Sequence, residues 1–471
     1  MSPGLEAARE ALAGQRAWLV GGAVRDRALG RATSDLDVIV EGDAARAARA
    51  VARASGSAAC FALSEDFGAW RVVASDRSWQ IDVEPLRADS LEHDLALRDF
   101  TVNAIAEPIA GGAPIDPLGG LADLEARRLR AAAPGAFIDD ALRVLRLVRV
   151  ALELELEPDE EALRLAREGA PRLSQCAGER VFMELRRIVA AREAVRGLEL
   201  MSTVGATVAV LPELEQLRGI EQSRYHHSDV YGHTLEVLAQ AIALHEGRSE
   251  LDSSLAEQRG EVTALLAEPL ADELTRGEAL RWGALLHDIA KPLTRDVRPA
   301  DGRVTFLGHD RCGAEVAREV LARLRTSARV RAHVAALVRH HLTLGFLVHE
   351  PQPLARQTVF GYLRACSPVE VDVTLLSVAD RLATRGDRAR ESIEAHLRLA
   401  RGVLGDALRW RAEGPPAPLL RGDELARELG IATGPRVGEL LEELAAAQYA
   451  GEVTTRAQAL AFARERQRRA R

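Results

Sequence analysis

The stretch from Trp18 to Val40, WLVGGAVRDRALGRATSDLDVIV, constrains the fold more than any other part of the chain. An apolar run, two glycines, a short helix-like segment and a second apolar run read as strand, glycine turn, helix and strand. Asp35 and Asp37 lie two apart on the second strand and so point to one face of a sheet. Paired carboxylates suit a divalent metal, and Gly21 and Gly22 let backbone approach a polyphosphate closely. This is a layout for nucleotidyl transfer.

The flanking segments supply the rest of a small mixed sheet. Residues 1–15 read as a helix packed beside it, and EGDAARAARAVARASG, after Val40, as a second helix. CFALSEDFGAWRVVA and SWQIDVEPL read as two strands separated by a polar turn at Ser75 to Ser78, and the latter brings a third carboxylate, Asp82. Further on, DLALRDFTVNAIA carries Arg98, Asp99 and Asn103, and DPLGG begins at Asp116. FIDDALRVLRLVRVALELEL reads as one helix, with Asp139 and Asp140 in its first turn and Arg143, Arg146 and Arg149 along one flank. Taken singly, Arg98 with Asp99 is an ordinary surface ion pair and the two aspartates are ordinary caps. The functional alternative is that Asp140 and Arg143, one turn apart, offer a carboxylate and a planar guanidinium to a nucleobase edge, while Arg146 reaches phosphate.

Together and in this order, GGAVRD, DLD, LRDFTVNA, DPLGG, DDALRVLR and ERVFMELRRI resemble the bacterial class II tRNA nucleotidyltransferases and their relatives, the bacterial poly(A) polymerases, over about residues 15–215. The resemblance implies a polymerase-beta-like α/β head holding Mg2+ and using CTP and ATP on tRNA. It assigns Asp35 and Asp37 to metal, Gly22 and Arg25 to the triphosphate, and Arg98 with Asp99 to the ribose. Asp140 and Arg143 take the base-reading positions with Arg146 beside them on the phosphates, and Glu179, Arg180 and Glu184 match the motif that braces their helix. Two departures stand out: Leu97 replaces the first of two arginines usual before the ribose-motif aspartate, and the segment between Asp82 and Asp94 is short. In this family a short or missing loop there goes with enzymes that add only the two cytidines, so addition of CC stands beside addition of CCA.

A second constellation follows: His233, then His287 with Asp288, His309, His340 with His341, and Asp380. Any one of these on an apolar helix is an ordinary buried residue, but imidazoles and carboxylates from several helices are how a bundle holds catalytic metals. The series resembles the HD superfamily of metal-dependent phosphohydrolases over about residues 225–395. It implies His233, His287, Asp288 and Asp380 as core ligands, His309, His340 and His341 as ligands of a second metal, and one or two divalent transition metals, with Mn, Fe, Ni or Co as candidates. Lys291, the only lysine in the chain, falls one turn after Asp288, where an ammonium could stabilise phosphoryl oxygens. His226 and His227 flank the series, and the acidic stretch between His245 and Leu280 reads as helical and exposed.

The expected organisation is a nucleotidyltransferase head at 1–135, an all-α neck and RNA-binding region at 136–215, an all-α HD domain at 216–410 and a small helical tail at 411–471, after the linker EGPPAPLL. A net charge of −8 excludes indiscriminate polyanion binding, so RNA contact must be a local basic face. No apolar run reaches membrane-spanning length and the N-terminus lacks signal-peptide blocks, so a cytoplasmic location is expected. Four scattered cysteines suggest neither disulfides nor a zinc knuckle. The rivals are a poly(A) polymerase or A-adding enzyme, which shares the head, and a non-catalytic RNA-binding protein that keeps the fold.

Overall fold

The computed structural model describes residues 3–56, 58–64, 68–221, 228–248, 258–384 and 389–469. His226 and His227 lie outside them. The chain forms two compact units, Met1–Val210 and Leu211–Arg471. No helix among the described residues is long and apolar enough to cross a membrane.

In the first unit, α1 (Pro3–Ala11) is followed by β1 (Ala17–Val20), α2 (Gly22–Ala28), β2 (Asp35–Val40), α3 (Ala44–Ala54), β3 (Ala59–Ser64), β4 (Ala69–Val73), β5 (Gln80–Pro85), α4 (Leu91–Ala96) and β6 (Ala106–Pro108). The six strands form one mixed sheet in the order β3-β4-β5-β2-β1-β6, in which only β2 and β5 run parallel. The stretch from Cys60 to Ala74, expected as a single strand, is a hairpin of β3 and β4. Small residues on α3 (Ala44, Ala47, Ala48) and Val51 are buried and pack that helix on one face, with α1 against it. On the other face Trp18, Val20 and Ile39 pack with Leu91 and Leu95 of α4, leaving the Asp35–Asp37 end open.

The helix expected from Phe137 onward is broken: α6 (Ala136–Asp139) ends at Asp140, whose extended backbone precedes α7 (Arg143–Leu154). Asp140 therefore sits in a break and not in a first helical turn. Before it, α5 (Gly120–Glu125) closes DPLGG, and the Asp116 carboxylate accepts the N–H groups of Gly120 and Leu121. A Cβ on Gly120 would lie 2.2 Å from the Thr101 carbonyl oxygen. Gly120→Ala is accordingly expected to destabilise this unit by about 3 kcal/mol through overpacking, seen as a lower urea midpoint at unchanged slope. Asp123, fully buried, accepts hydrogen bonds from Thr101, Arg128 and Arg130. Burial opposes its ionisation, but these three donors hold its pKa below the usual carboxylate value. The pattern reading did not include this anchor.

The second unit is almost wholly helical. The helix Val230–His245 packs on Arg276–Leu286 and on Glu370–Leu382, and His309–Arg323 packs on Ala328–His340. Arg276 and His333 converge on buried Asp372, tying three of these helices together. The acidic insertion is not simply an exposed helix: its described part holds the helix Arg259–Leu266 and a small hairpin, with Leu265, Leu266, Leu270 and Leu274 buried. At the end of the chain, helices Gly422–Leu429, Pro435–Tyr449 and Arg456–Arg469 share a small core around Leu425, Leu440 and Leu444.

Candidate functional site

In the first unit the sheet register fixes the site. Asp37 on β2 lies opposite Val20 of β1 on one side and Asp82 of β5 on the other. Asp35 lies two pairs away and so on the same face, opposite Gln80, whose amide donates to the Asp35 carboxylate at 2.6 Å. Asp82 is not free: Arg71 on β4 donates to both of its oxygens at 2.7 Å. This pairing makes Asp82 a neutralised neighbour of the aspartate pair, and Arg71 went unnoticed because eleven residues separate it from Asp82 in the chain. Asp37 is solvent-accessible but sits in a concave, crowded setting, and the loss of surrounding water raises its pKa to about 6. Arg98 opposes that shift, while Asp82, Glu84 and Asp35 add to it. A carboxylate whose charge is disfavoured first by lost water and then by neighbouring carboxylates favours a bound cation.

The glycine turn is built for close approach. Gly21 has φ +68°, and a Cβ there would meet Arg98 Nη1 at 2.8 Å and Asp37 Oδ2 at 3.5 Å. Arg25 donates to the Asn103 side-chain oxygen at 2.5 Å and pairs with Asp26. Asn103 in turn donates to Asp99 at 2.9 Å. Asp99 also lies 3.6 Å from Arg146, and Glu184 holds Arg146 and Arg149 at 3.3 and 2.6 Å. Arg143 donates to the backbone carbonyls of Leu97, Arg98 and Ala136. Asp140 accepts from Arg180 at 3.2 Å. The structure thus brings Gly21, Asp37 and Arg98 together, and links Asp99, Asn103 and Arg146 into one network. It does not aim Asp140 and Arg143 at a shared partner: each is held by protein groups. Asn103 is the junction that residue-by-residue assignment left without a role.

In the second unit the ligand-type residues converge from five helices and their ends. His233 lies within its helix, His287 ends the helix Arg276–Leu286 and is followed by Asp288, His309 opens its helix, His341 ends another, and Asp380 lies on Glu370–Leu382. Two groups of buried residues have ligand atoms within 4.8 Å of one another: His233, His287 and Asp288, and Asp288, His309 and His341. Asp380 accepts from His233 Nε2 at 3.0 Å beside the first group. His340 joins neither group; adjacent helical residues point about 100° apart, and His340 is half-buried, its pKa lowered by burial and by Arg339. Lys291 Nζ lies 2.6 Å from Asp288.

The donor set fits metal. Nδ1 of His287, His309 and His341 each donates to a carbonyl three residues earlier, of Ala284, Phe306 and Val338, at 2.7–2.8 Å. In the neutral imidazole this leaves the Nε2 lone pair facing inward. Nε2 of His309 and His341 then face each other at 3.3 Å, an arrangement that a cation relieves. Buried Nε2 of His287 lies 3.1 Å from Asp288 Oδ2, whose charge raises the His287 pKa against the effect of burial. Burial pushes the His341 pKa down to about 4, keeping it a neutral donor. Burial opposes charge on Asp288, yet His287 and Lys291 hold its pKa well below the usual value.

Both units resemble known proteins. Residues 17–130 match the Poly A polymerase head domain, 155–217 the probable RNA and SrmB-binding site of polymerase A, and 261–385 the HD domain. Nucleotidyltransferase and HD domains are metal-dependent. The chain is 39% identical to the A-adding tRNA nucleotidyltransferase of Deinococcus radiodurans, over 94% of each chain. It is 36% identical to the CC-adding tRNA nucleotidyltransferase of Thermus thermophilus, over 95% of this chain and 92% of that one. The fold is shared with the Thermotoga maritima CCA-adding enzyme complexed with tRNA, at a TM-score of 0.61 and 19% identity over 98% of this chain and 94% of that one.

Proposed function

The chain belongs to the bacterial tRNA nucleotidyltransferase family, and we propose that it transfers cytidylyl groups from CTP to the 3′ end of tRNA, releasing pyrophosphate and stopping after the second cytidine. The observation that carries the stop is the connection between β5 and α4, which spans only 86–90. It is closed by the buried Asp94 carboxylate, which accepts the Arg87 N–H at 2.8 Å. That leaves no loop to switch the site to ATP. Addition of A alone is the second reading, favoured by the 39% identity to an A-adding relative. Single-nucleotide extension separates the two readings. With tRNA lacking its 3′ end, CTP alone is expected to give two additions, and with tRNA ending in CC, ATP alone is expected to give none. Addition of A to the second substrate without addition of C to the first would establish the A-adding reading.

In this reading Asp35 and Asp37 hold Mg2+, with Asp82 beside them. Bound metal supplies a lowered pKa for the attacking 3′-hydroxyl and neutralises charge on the triphosphate. Gly21 and Gly22 admit the triphosphate to backbone, and Arg25 binds it alongside Arg98, which also reads the ribose with Asp99. Asp140 and Arg143 read the base edge, and the bonds from Arg143 to the Leu97 and Arg98 carbonyls couple that reading to the ribose pair. Arg146, shared between Asp99 and Glu184, turns from them to phosphate.

The HD half is proposed to hydrolyse phosphate esters with one or two divalent transition metals, drawn from Mn, Fe, Ni and Co, held by His233, His287, Asp288, His309, His341 and Asp380. Lys291 stabilises the phosphoryl oxygens. The converging Nε2 atoms are the observation behind it.

A further inference from the structure

The glycine turn, Arg98 and β1 all lie on one flank of Asp37, so a nucleotide seated on Gly21 and Gly22 occupies that flank. A hydroxyl that attacks the α-phosphorus in line with the departing pyrophosphate must enter from the opposite one. That opposite flank is β5, β4 and β3. Register places Asp37, Asp82, Arg71 and Phe61 in a single row across four strands, on one face of the sheet, ending at the edge strand.

The outer end of this row is unusual for a surface strand. Phe61 is 46% exposed, and Leu63, at the irregularity where the β3–β4 register shifts, is 44% exposed. Between Phe61 and Asp35 lies a cavity of about 400 Å³, lined also by Arg71, Arg77, Trp79 and Gln80. Asp35, one of the carboxylate pair, forms part of its wall. Arg77 stands exposed at one end of it, in a left-handed turn with φ 58°. An exposed aromatic ring with guanidinium groups beside it is how proteins hold single-stranded nucleic acid, the ring stacking on a base and the arginines meeting phosphate. No other polyanion has to end beside Asp35.

We propose that this outer half of the sheet face, from Arg71 to Phe61, holds the single-stranded 3′ end of the RNA acceptor, with a base stacked on Phe61 and its phosphate on Arg77. The inference rests on the nucleotidyl-transfer reading of the head and names where that reaction's second substrate lies.

The test uses the full chain and tRNA lacking its 3′ end. Phe61→Ala is expected to raise both Kd and KM for that tRNA by about tenfold, the low end of what one base–aromatic stack contributes. KM for CTP is expected to stay within twofold of wild type, and Phe61→Tyr to restore tRNA binding. Arg77→Ala is expected to weaken tRNA binding and to flatten its dependence on salt. Unchanged tRNA Kd and KM in Phe61→Ala would overturn the proposal, as would a rise in KM for the nucleotide instead, which would make the cavity part of the nucleotide site. Failure of the underlying reading looks different, since wild-type protein would then incorporate no nucleotide at all while tRNA binding still reports on Phe61.

Discussion

Asp37→Asn is expected to lower nucleotide incorporation by ~10³-fold or more, with tRNA binding unchanged. Asp37 stands in the sheet row between the glycine turn and Asp82, so its carboxylate is the one anion flanked by both substrates' proposed seats. An amide of the same shape keeps the fold but gives up the charge. Asp82→Asn should cost far less, because Arg71 already neutralises Asp82. If Asp37→Asn retained wild-type turnover in the extension assay, the head assignment would fail.

The raised pKa of Asp37 adds a dependence on pH. Its folded value near 6 stands above the ordinary 3.8, so the proton is held more tightly in the folded protein than in the unfolded chain. Above pH 6 the carboxylate is ionised and takes up metal without releasing a proton; below it, metal must displace one. Apparent Mg2+ affinity, measured by titration of activity at several pH values, should fall by up to about tenfold per unit as pH drops below 6. The dependence should disappear in metal titrations of Asp37→Asn.

How far the sequence leads can be judged from individual residues. The strand–turn–helix–strand around Gly21 and the shared face of Asp35 and Asp37 follow from glycine's tolerance of positive φ and the two-residue period of a strand, and both are local. The α/β head followed by helical units follows from where apolar runs shorten and then lengthen. What stayed hidden depends on chain segments that meet only in three dimensions. Arg71 neutralises Asp82 because β4 and β5 pair in one register, and Asp123 is buried because Thr101, Arg128 and Arg130 surround it. The break at Asp140 was invisible because the apolar spacing of FIDDALRVLRLV runs through it without interruption. His340 and His341 are identical letters, and only the rotation at the helix end decides that His341 alone points to Asp288.

That distinction gives the second unit its sharpest test. Asp288 is the residue common to both ligand groups: its Oδ2 faces His287, at 3.1 Å, and Lys291, while its Oδ1 faces His309 at 3.3 Å. Asp288→Asn is therefore expected to abolish bound transition metal altogether, whereas His309→Ala should remove only the share held by the second group, and His340→Ala none. Elemental analysis of dialysed protein measures all three. Asp288→Asn also leaves His287 and Lys291 buried without their counter-charge, which costs about 3–5 kcal/mol when one partner of a buried pair is removed. A thermal melt of each variant must therefore accompany the metal count. His287→Ala combined with Asp288→Ala removes ligands from both groups and leaves Lys291 as the one uncompensated charge of the three, so its melt is read beside that of Asp288→Asn. Metal content unchanged in that double variant would reduce the constellation to structural histidines, and loss of metal in His340→Ala would show that the helix end turns the other way.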